Sequence, residues 1–119
     1  MRYIRTKDGI YDLDKSIWYE FTGRKVRMPY CEEYEKQPRL CKTVETIEEL
    51  CDEFVLDHPL FGDNCKCLYH SFEKAKNGIK KRSDNAHNLY DFIIYGAIWA
   101  DKGLIYVAKM NDEGELELI

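Results

Sequence analysis

Two thiols and an imidazole stand close together in the middle of the chain, at Cys65, Cys67 and His70. Thiolate sulfur and imidazole nitrogen are ligands that zinc prefers, but a zinc site needs four donors in a tetrahedron. The Cys-x-Cys spacing is less typical of a pair of zinc ligands than Cys-x-x-Cys, and no second cysteine pair follows at a regular distance. The sequence therefore predicts no metal and no other cofactor, with these three residues as weak metal candidates.

Catalytic chemistry finds no support elsewhere in the sequence. Five cysteines and three histidines could supply a nucleophile and a base, but no nucleophile elbow, glycine-rich oxyanion loop or third orienting group stands beside them. The His-Glu-x-x-His, P-loop and Gly-x-Gly-x-x-Gly motifs are absent. We therefore predict that the protein is not an enzyme.

Two basic segments could bind phosphate. One is the lysine-rich end of a predicted helix, and the other is Arg24-Lys25-Val26-Arg27. If the two segments meet, they would form a site for a nucleotide or another phosphorylated small molecule. Basic side chains near the end of a helix also simply complement its dipole. The candidates for the phosphate site are Lys74, Lys80, Lys81, Arg82, Arg24 and Arg27.

Acidic residues are concentrated between residues 31 and 64, in a chain whose net charge is −4. A net acidic chain argues against direct binding of duplex DNA, which needs a concentrated basic face. The acidic block is typical of a solvated helix face, and the alternative is a surface that meets a basic partner. The candidates for partner binding are Glu48, Glu49, Asp52 and Glu53.

Strands are predicted at the start of the chain. The Asp8-Gly9 turn lies between the β-rich runs Tyr3–Thr6 and Ile10–Leu13, which predicts a hairpin. The run Ser16–Thr22 predicts a third strand. Residues 24–42 mix charges and aromatics without a clean period, so we expect an irregular excursion there with room for a short strand.

Two helices are predicted next. Thr46-Ile47-Glu48-Glu49 has the form of a capping box, and apolar residues continue at helical spacing as far as Phe54. A second helix is predicted from about Lys66 to Arg82. Its apolar stripe consists of Leu68, Phe72, Ala75 and Ile79.

The end of the chain predicts a three-stranded antiparallel meander. The runs Phe92–Ala100, Leu104–Met110 and Glu115–Ile119 are β-rich and are separated by glycine-containing turns. The first run is apolar on both faces, which is typical of a central strand, and Gly96 within it indicates a bulge or a close backbone approach. We predict a single α+β domain over residues 1–119, with a mostly antiparallel sheet that could curl into a small barrel.

The sequence also bears on location. No apolar run approaches the roughly 20 residues of a membrane span, and the first residues lack the apolar stretch of a secretory signal. Five cysteines cannot all pair with one another, and unpaired thiols fit a reducing compartment. We expect a soluble protein of the cytoplasm that does not bind membranes.

Three parts of the chain resemble one group of proteins. Tyr3–Tyr11, Thr46–Val55 and the stretches 94–99 and 103–109 of the meander are similar to small uncharacterised proteins encoded by phages and prophages of Gram-positive bacteria. The resemblance carries no known mechanism, so it assigns no site residue. What it implies is a setting, the cytoplasm of a bacterial host, where small accessory phage proteins often bind a host protein or sequester a host signal.

Taken together, these features predict a non-catalytic phage or prophage accessory protein of the anti-defence type. It would bind and inhibit a host protein stoichiometrically, for example a nucleic-acid-processing protein with a basic surface. Two alternatives remain open. One is a protein that binds or sequesters a nucleotide or phosphorylated signal, and the other is a minor component of the virion.

Overall fold

The computed structural model describes residues 2–59, 67–83, 92–101 and 103–119, without the side chains of Arg82 and Ser83. These residues contain ten strands and three α-helices, and the chain divides into two compact units, residues 1–50 and 51–119. Each unit is built on its own five-stranded antiparallel sheet. The predicted α+β class with mostly antiparallel strands is confirmed, whereas the single domain over 1–119 stays a prediction.

The sheet of the first unit has the strand order β4-β3-β2-β1-β5. The predicted hairpin and third strand are confirmed as β1, β2 and β3, which follow one another as an antiparallel meander. Thr6 closes the hairpin turn, because its hydroxyl oxygen accepts hydrogen bonds from the backbone N–H groups of Asp8 and Gly9, both at 3.1 Å. The strands are β1 (Tyr3–Arg5), β2 (Gly9–Asp12), β3 (Ile17–Glu20), β4 (Lys25–Arg27) and β5 (Lys42–Val44).

One face of this sheet is covered by the segment predicted as an irregular excursion. Ile4, Tyr11 and Trp18 lie in register across β1, β2 and β3 and form a buried cluster with Cys31. The Tyr11 hydroxyl donates a hydrogen bond to the backbone oxygen of Met28 at 2.7 Å. Between β4 and β5 the excursion forms the short helix α1 (Glu32–Lys36) and a 3₁₀ turn (Pro38–Leu40). The excursion therefore completes the core of the first unit.

The first predicted helix is much shorter than expected. Helix α2 spans only Ile47–Leu50, and the capping box is confirmed in part, because the Glu49 carboxylate accepts a hydrogen bond from the Thr46 backbone N–H at 3.0 Å. The expectation that the helix runs through Phe54 is wrong, since strand β6 (Glu53–Asp57) lies there. Phe54-Val55-Leu56 is a continuous apolar run, and β6 buries it in the interior of a sheet between β7 and β8.

The sheet of the second unit has the order β10-β9-β8-β6-β7. The predicted meander is confirmed by the antiparallel pairing of β8 with β9 and of β9 with β10, and β8 lies between β6 and β9 as a central strand. The register shifts between Gly96 and Ala97, which confirms the bulge. The strands are β7 (Cys67–Tyr69), β8 (Ile93–Ala100), β9 (Gly103–Met110) and β10 (Leu116–Leu118).

The second predicted helix also begins later than expected. Helix α3 spans Phe72–Ser83, whereas Leu68 belongs to strand β7 and is exposed. The start is set by Ser71, whose hydroxyl accepts a hydrogen bond from the Lys74 backbone N–H at 3.1 Å, as an N-cap residue does. Ala75 is fully buried, and the Phe72 ring packs 5.9 Å from the ring of Phe54 in β6. The stripe that positions α3 on the sheet therefore begins at Phe72.

The strands form two separate sheets, so the expectation that one sheet curls into a small barrel is wrong. In the part of the chain that the structure describes, α3 is the longest helix, with 12 residues. None of the described helices has the length and apolar character required to cross a membrane.

The tight pairing of β2 with β3 leads to a first prediction. A Cβ atom at Gly9 would collide with the backbone oxygen of Tyr19 and would lie 2.9 Å from the Trp18 ring. We expect Gly9→Ala to lower the free energy of unfolding by about 2 kcal/mol or more, because backbone atoms cannot give way. Gly23→Ala is the control, since its Cβ would meet no atom within 4 Å and only its φ of 102° is unfavourable, at a cost of about 1 kcal/mol. Urea denaturation measures both, and an equal loss would contradict the prediction.

Candidate functional site

One face of the second sheet gathers aromatic side chains around a single alanine. Successive residues of a strand point to opposite faces, so Tyr95, Ala97 and Trp99 of β8 share one face. Ala97 pairs in register with Glu53 of β6 on one side and with Tyr106 of β9 on the other. We call these five residues the aromatic face. Its members come from three adjacent strands of one sheet.

Two of the three rings of the aromatic face are exposed to solvent. Trp99 is 54% exposed and Tyr106 is 41% exposed. Leu68, which lies on the same side of the sheet through its pairing with Val55, is 57% exposed. Of six large hydrophobic side chains that are exposed among the described residues, these three share one sheet face. Trp99 and Tyr106 flank Ala97, and exposed apolar side chains that lie together mark interaction sites more often than isolated ones do.

Two consecutive carboxylates position Trp99. The Trp99 backbone N–H donates to Asp52 Oδ2 at 3.0 Å, and its indole Nε1–H donates to Glu53 Oε1 at 3.1 Å. The Asp52 backbone N–H in turn donates to the backbone oxygen of Ala97 at 2.9 Å. The indole is therefore fixed at both its backbone and its ring nitrogen, although more than half of its surface faces solvent.

The second oxygen of Glu53 is in a different situation. Glu53 Oε2 is enclosed and has no hydrogen-bond partner among the described residues. A carboxylate oxygen that is removed from water without a donor costs free energy, typically about 1 to 3 kcal/mol and more when the group is charged. The arrangement therefore leaves an acceptor beside Trp99 that an N–H donor could satisfy.

Ala97 lies at the centre of the aromatic face. The Tyr95 and Tyr106 rings pack together with centroids 5.2 Å apart, and Trp99 and Glu53 are hydrogen-bonded on the opposite side. The Ala97 methyl group between these two pairs has no exposed surface. The two pairs therefore close over a small side chain.

The predicted acidic residues are divided between the two units. Glu48 and Glu49 lie in α2 of the first unit, whereas Asp52 and Glu53 lie in the second unit beside Trp99. Backbone N–H groups of Glu45 and Thr46 hold the pKa of Glu49 below its usual value. Glu49 thus stabilises the start of α2, and the structure brings only Asp52 and Glu53 together with a candidate site.

The predicted phosphate-binding residues are also divided. Lys74, Lys80 and Lys81 are exposed on α3 in the second unit, and the side chain of Arg82 lies outside the described residues. Arg24 and Arg27 belong to the first unit, where Arg24 Nε lies 3.2 Å from Glu20 Oε2. Phosphate binding by these residues stays a prediction.

The metal candidates give no centre in the described part of the chain. Cys67 is half-buried in β7 and His70 is exposed just after it, while Cys65 lies outside the described residues. Over the described ranges, no group of three or more histidine, cysteine, aspartate or glutamate side chains could hold a metal ion.

Sequence reasoning missed the three rings of the aromatic face. Tyr95 and Trp99 were included in a strand that was predicted from its apolar character on both faces, which does not separate an inward face from an outward one. The available signal was the spacing of Tyr95, Ala97 and Trp99, which puts two rings on one face with a small residue between them.

Comparisons with known proteins add no family or relative. No family model, no curated protein and no solved structure matches this chain. The candidate site therefore depends on the geometry alone.

A carboxyl pair in the first unit is a second electrostatic feature. The Glu33 carboxyl group lies close enough to the Asp8 carboxyl group to interact with it, and it also interacts with Thr6 and Lys7. Burial, followed by the interaction with Asp8, raises the pKa of Glu33 above its usual value. The two carboxyl groups repel each other when both are ionised, so the folded protein favours a proton between them.

This pair makes stability depend on pH. Because Glu33 binds its proton more tightly in the folded state, its contribution is full below about pH 4 and is lost as the pH rises through the folded pKa. We expect Glu33→Gln to be more stable than wild type at about pH 7, by less than about 1 kcal/mol because the site is close to solvent, and equal near pH 4. Urea denaturation at the two pH values measures this. A gain of the same size at both values would refute the assignment.

The two tryptophans of the chain provide a matched test of the aromatic face. Trp18 is 8% exposed in the core of the first unit, whereas Trp99 is 54% exposed. We expect Trp18→Ala to lower the free energy of unfolding by about 3 kcal/mol or more, because it leaves a cavity. Trp99→Ala should cost less than about 1 kcal/mol. If denaturation shows a large loss for Trp99→Ala, the ring serves stability rather than binding.

Proposed function

We propose that this protein is a non-catalytic phage or prophage accessory protein that acts in the cytoplasm of a bacterial host. It binds a host protein stoichiometrically and inhibits it. The observation that carries this proposal is the aromatic face, where Trp99 and Tyr106 are exposed on one side of the second sheet, with Leu68 exposed on the same side. The host setting is supported by the resemblance of the chain's two ends to phage and prophage proteins.

The chemistry of the aromatic face suits a protein partner. Tryptophan and tyrosine are the residues most enriched among those that dominate binding energy in protein interfaces, since a large ring loses little conformational freedom when it is buried. The Trp99 backbone N–H is held by Asp52, so little backbone ordering is needed when a partner arrives. An exposed ring on an ordered strand can therefore be buried against a partner with a small loss of conformational entropy.

The charge of the same area indicates the kind of partner. Asp52 and Glu53 lie next to Trp99, so the partner surface is expected to carry positive charge. Host proteins that process nucleic acids expose such basic surfaces, because they bind phosphate backbones. Binding of the aromatic face would then compete with the nucleic acid and inhibit the host protein.

A capture experiment with matched variants tests this proposal. The wild type, the double variant Trp99→Ala/Tyr106→Ala and the control Leu40→Ala are used as baits in a lysate of a Gram-positive host. Leu40 is 66% exposed and belongs to the first unit, so it is not part of the second sheet. We expect one host protein to be retained by the wild type and the control and lost from the double variant.

The retained protein is then purified and titrated against the chain by calorimetry. We expect a one-to-one complex whose affinity falls by about 30-fold or more in the double variant, as for interface anchors worth about 2 kcal/mol. Retention of the same host proteins by all three baits would contradict the proposal. Far-ultraviolet circular dichroism of each variant establishes that it is folded.

A further inference from the structure

We propose that Trp99, Tyr106 and Glu53 form a subsite for one arginine side chain of the partner protein. This inference rests on the proposed function and specifies what the aromatic face recognises. It starts from the enclosed Glu53 Oε2, an acceptor with no donor among the described residues, which lies on the residue that holds the exposed indole.

The width of the proposed subsite is set by the strands on either side of Ala97. Glu53 and Tyr106 lie on the strands to either side of it, so their Cβ atoms are about 10 Å apart across the sheet. In the structure the Trp99 to Glu53 hydrogen bond closes this space, and the Ala97 methyl group is inaccessible. Binding requires the indole ring to turn away from Glu53, so that the guanidinium group replaces the indole N–H as a donor to this carboxylate.

The donor that fits best is a guanidinium group. Its planar face stacks on aromatic rings, and its five N–H groups can satisfy both oxygens of one carboxylate. A cation over the Trp99 or Tyr106 ring is attracted by the negative ring face. An ammonium group offers the charge without the planar fork, so lysine is expected to bind more weakly.

The surrounding charges favour a cation over an anion. Asp52 is adjacent to Glu53, and its carboxylate accepts a hydrogen bond from the Trp99 backbone N–H, so two consecutive carboxylates contact Trp99. Among the described residues, Lys109 is a cation on the same side of the sheet, and it pairs in register with Tyr95 and with Glu117 of β10. A phosphate or a carboxylate would therefore be repelled where a guanidinium is attracted.

The two tryptophans make the test direct. The full chain labelled with ¹⁵N gives two indole signals, one from Trp18 and one from Trp99, and the variant Trp99→Phe assigns them. The probe is the blocked tripeptide Gly-Arg-Gly, compared with the same peptide carrying lysine or the neutral isostere citrulline. Because binding replaces the indole hydrogen bond to Glu53, we expect the arginine peptide to move the Trp99 signal and leave that of Trp18 in place.

Variants of two acidic residues, Glu53 and Glu117, sharpen the result. Glu53→Gln keeps an oxygen for the indole N–H but removes the charge, and we expect it to weaken the arginine peptide about tenfold. Glu117→Gln removes a charge at the β10 edge of the same sheet and should leave the affinity unchanged. Circular dichroism and the Trp18 signal show that each variant is folded.

The possible results separate this inference from the proposed function. The arginine subsite is overturned if the Trp99 signal does not move at peptide concentrations up to about 50 mM, or if the citrulline peptide moves it equally. If a host protein is nevertheless lost from the Trp99→Ala/Tyr106→Ala bait, the proposed function stands without the subsite. If the arginine peptide binds and no host protein depends on the aromatic face, the subsite stands and the proposed function fails.

Discussion

The pairing of β8 between β6 and β9 is the constraint from which the candidate site follows. Once Ile94, Gly96 and Ile98 are committed to the buried side of the second sheet, the alternation of the strand puts Tyr95, Ala97 and Trp99 together on the other side. The neighbours of Ala97 are then dictated by register rather than by loop conformation. The backbone of such a site is held by the hydrogen bonds of the sheet, which lowers the conformational entropy lost on binding.

The sequence predicts this fold well where local chemistry decides it. The Asp8-Gly9 turn and the glycine turns of the meander specify hairpins within a few residues, and both meanders are confirmed. Helical spacing was misleading between Ile47 and Phe54, because the same apolar residues also suit a buried strand, and only pairing with β7 and β8 decides between the two. Long-range pairing is the information that a single sequence lacks.

The candidate site was predicted only by charge. Asp52 and Glu53 were identified as members of an acidic run, but what they do follows from cross-strand contacts with Trp99, 47 and 46 residues away. Glu49, in the same run, satisfies backbone N–H groups at the start of α2. The number of acidic residues in such a run therefore overestimates the charge that a partner meets. Several of these carboxylates already accept hydrogen bonds within the protein.

The bulge next to Gly96 has a consequence for the chemistry of the exposed side. With uninterrupted pairing, Gly96 opposite Ala108 would be followed by Ala97 opposite Val107, and Tyr106 would point with Ile98 into the apolar interior. The one additional residue in β9 reverses this, so that a phenol ring rather than an isopropyl group stands beside Ala97. A single inserted position thus adds Tyr106 to Tyr95 and Trp99, the two rings of β8 that can stack on a planar group.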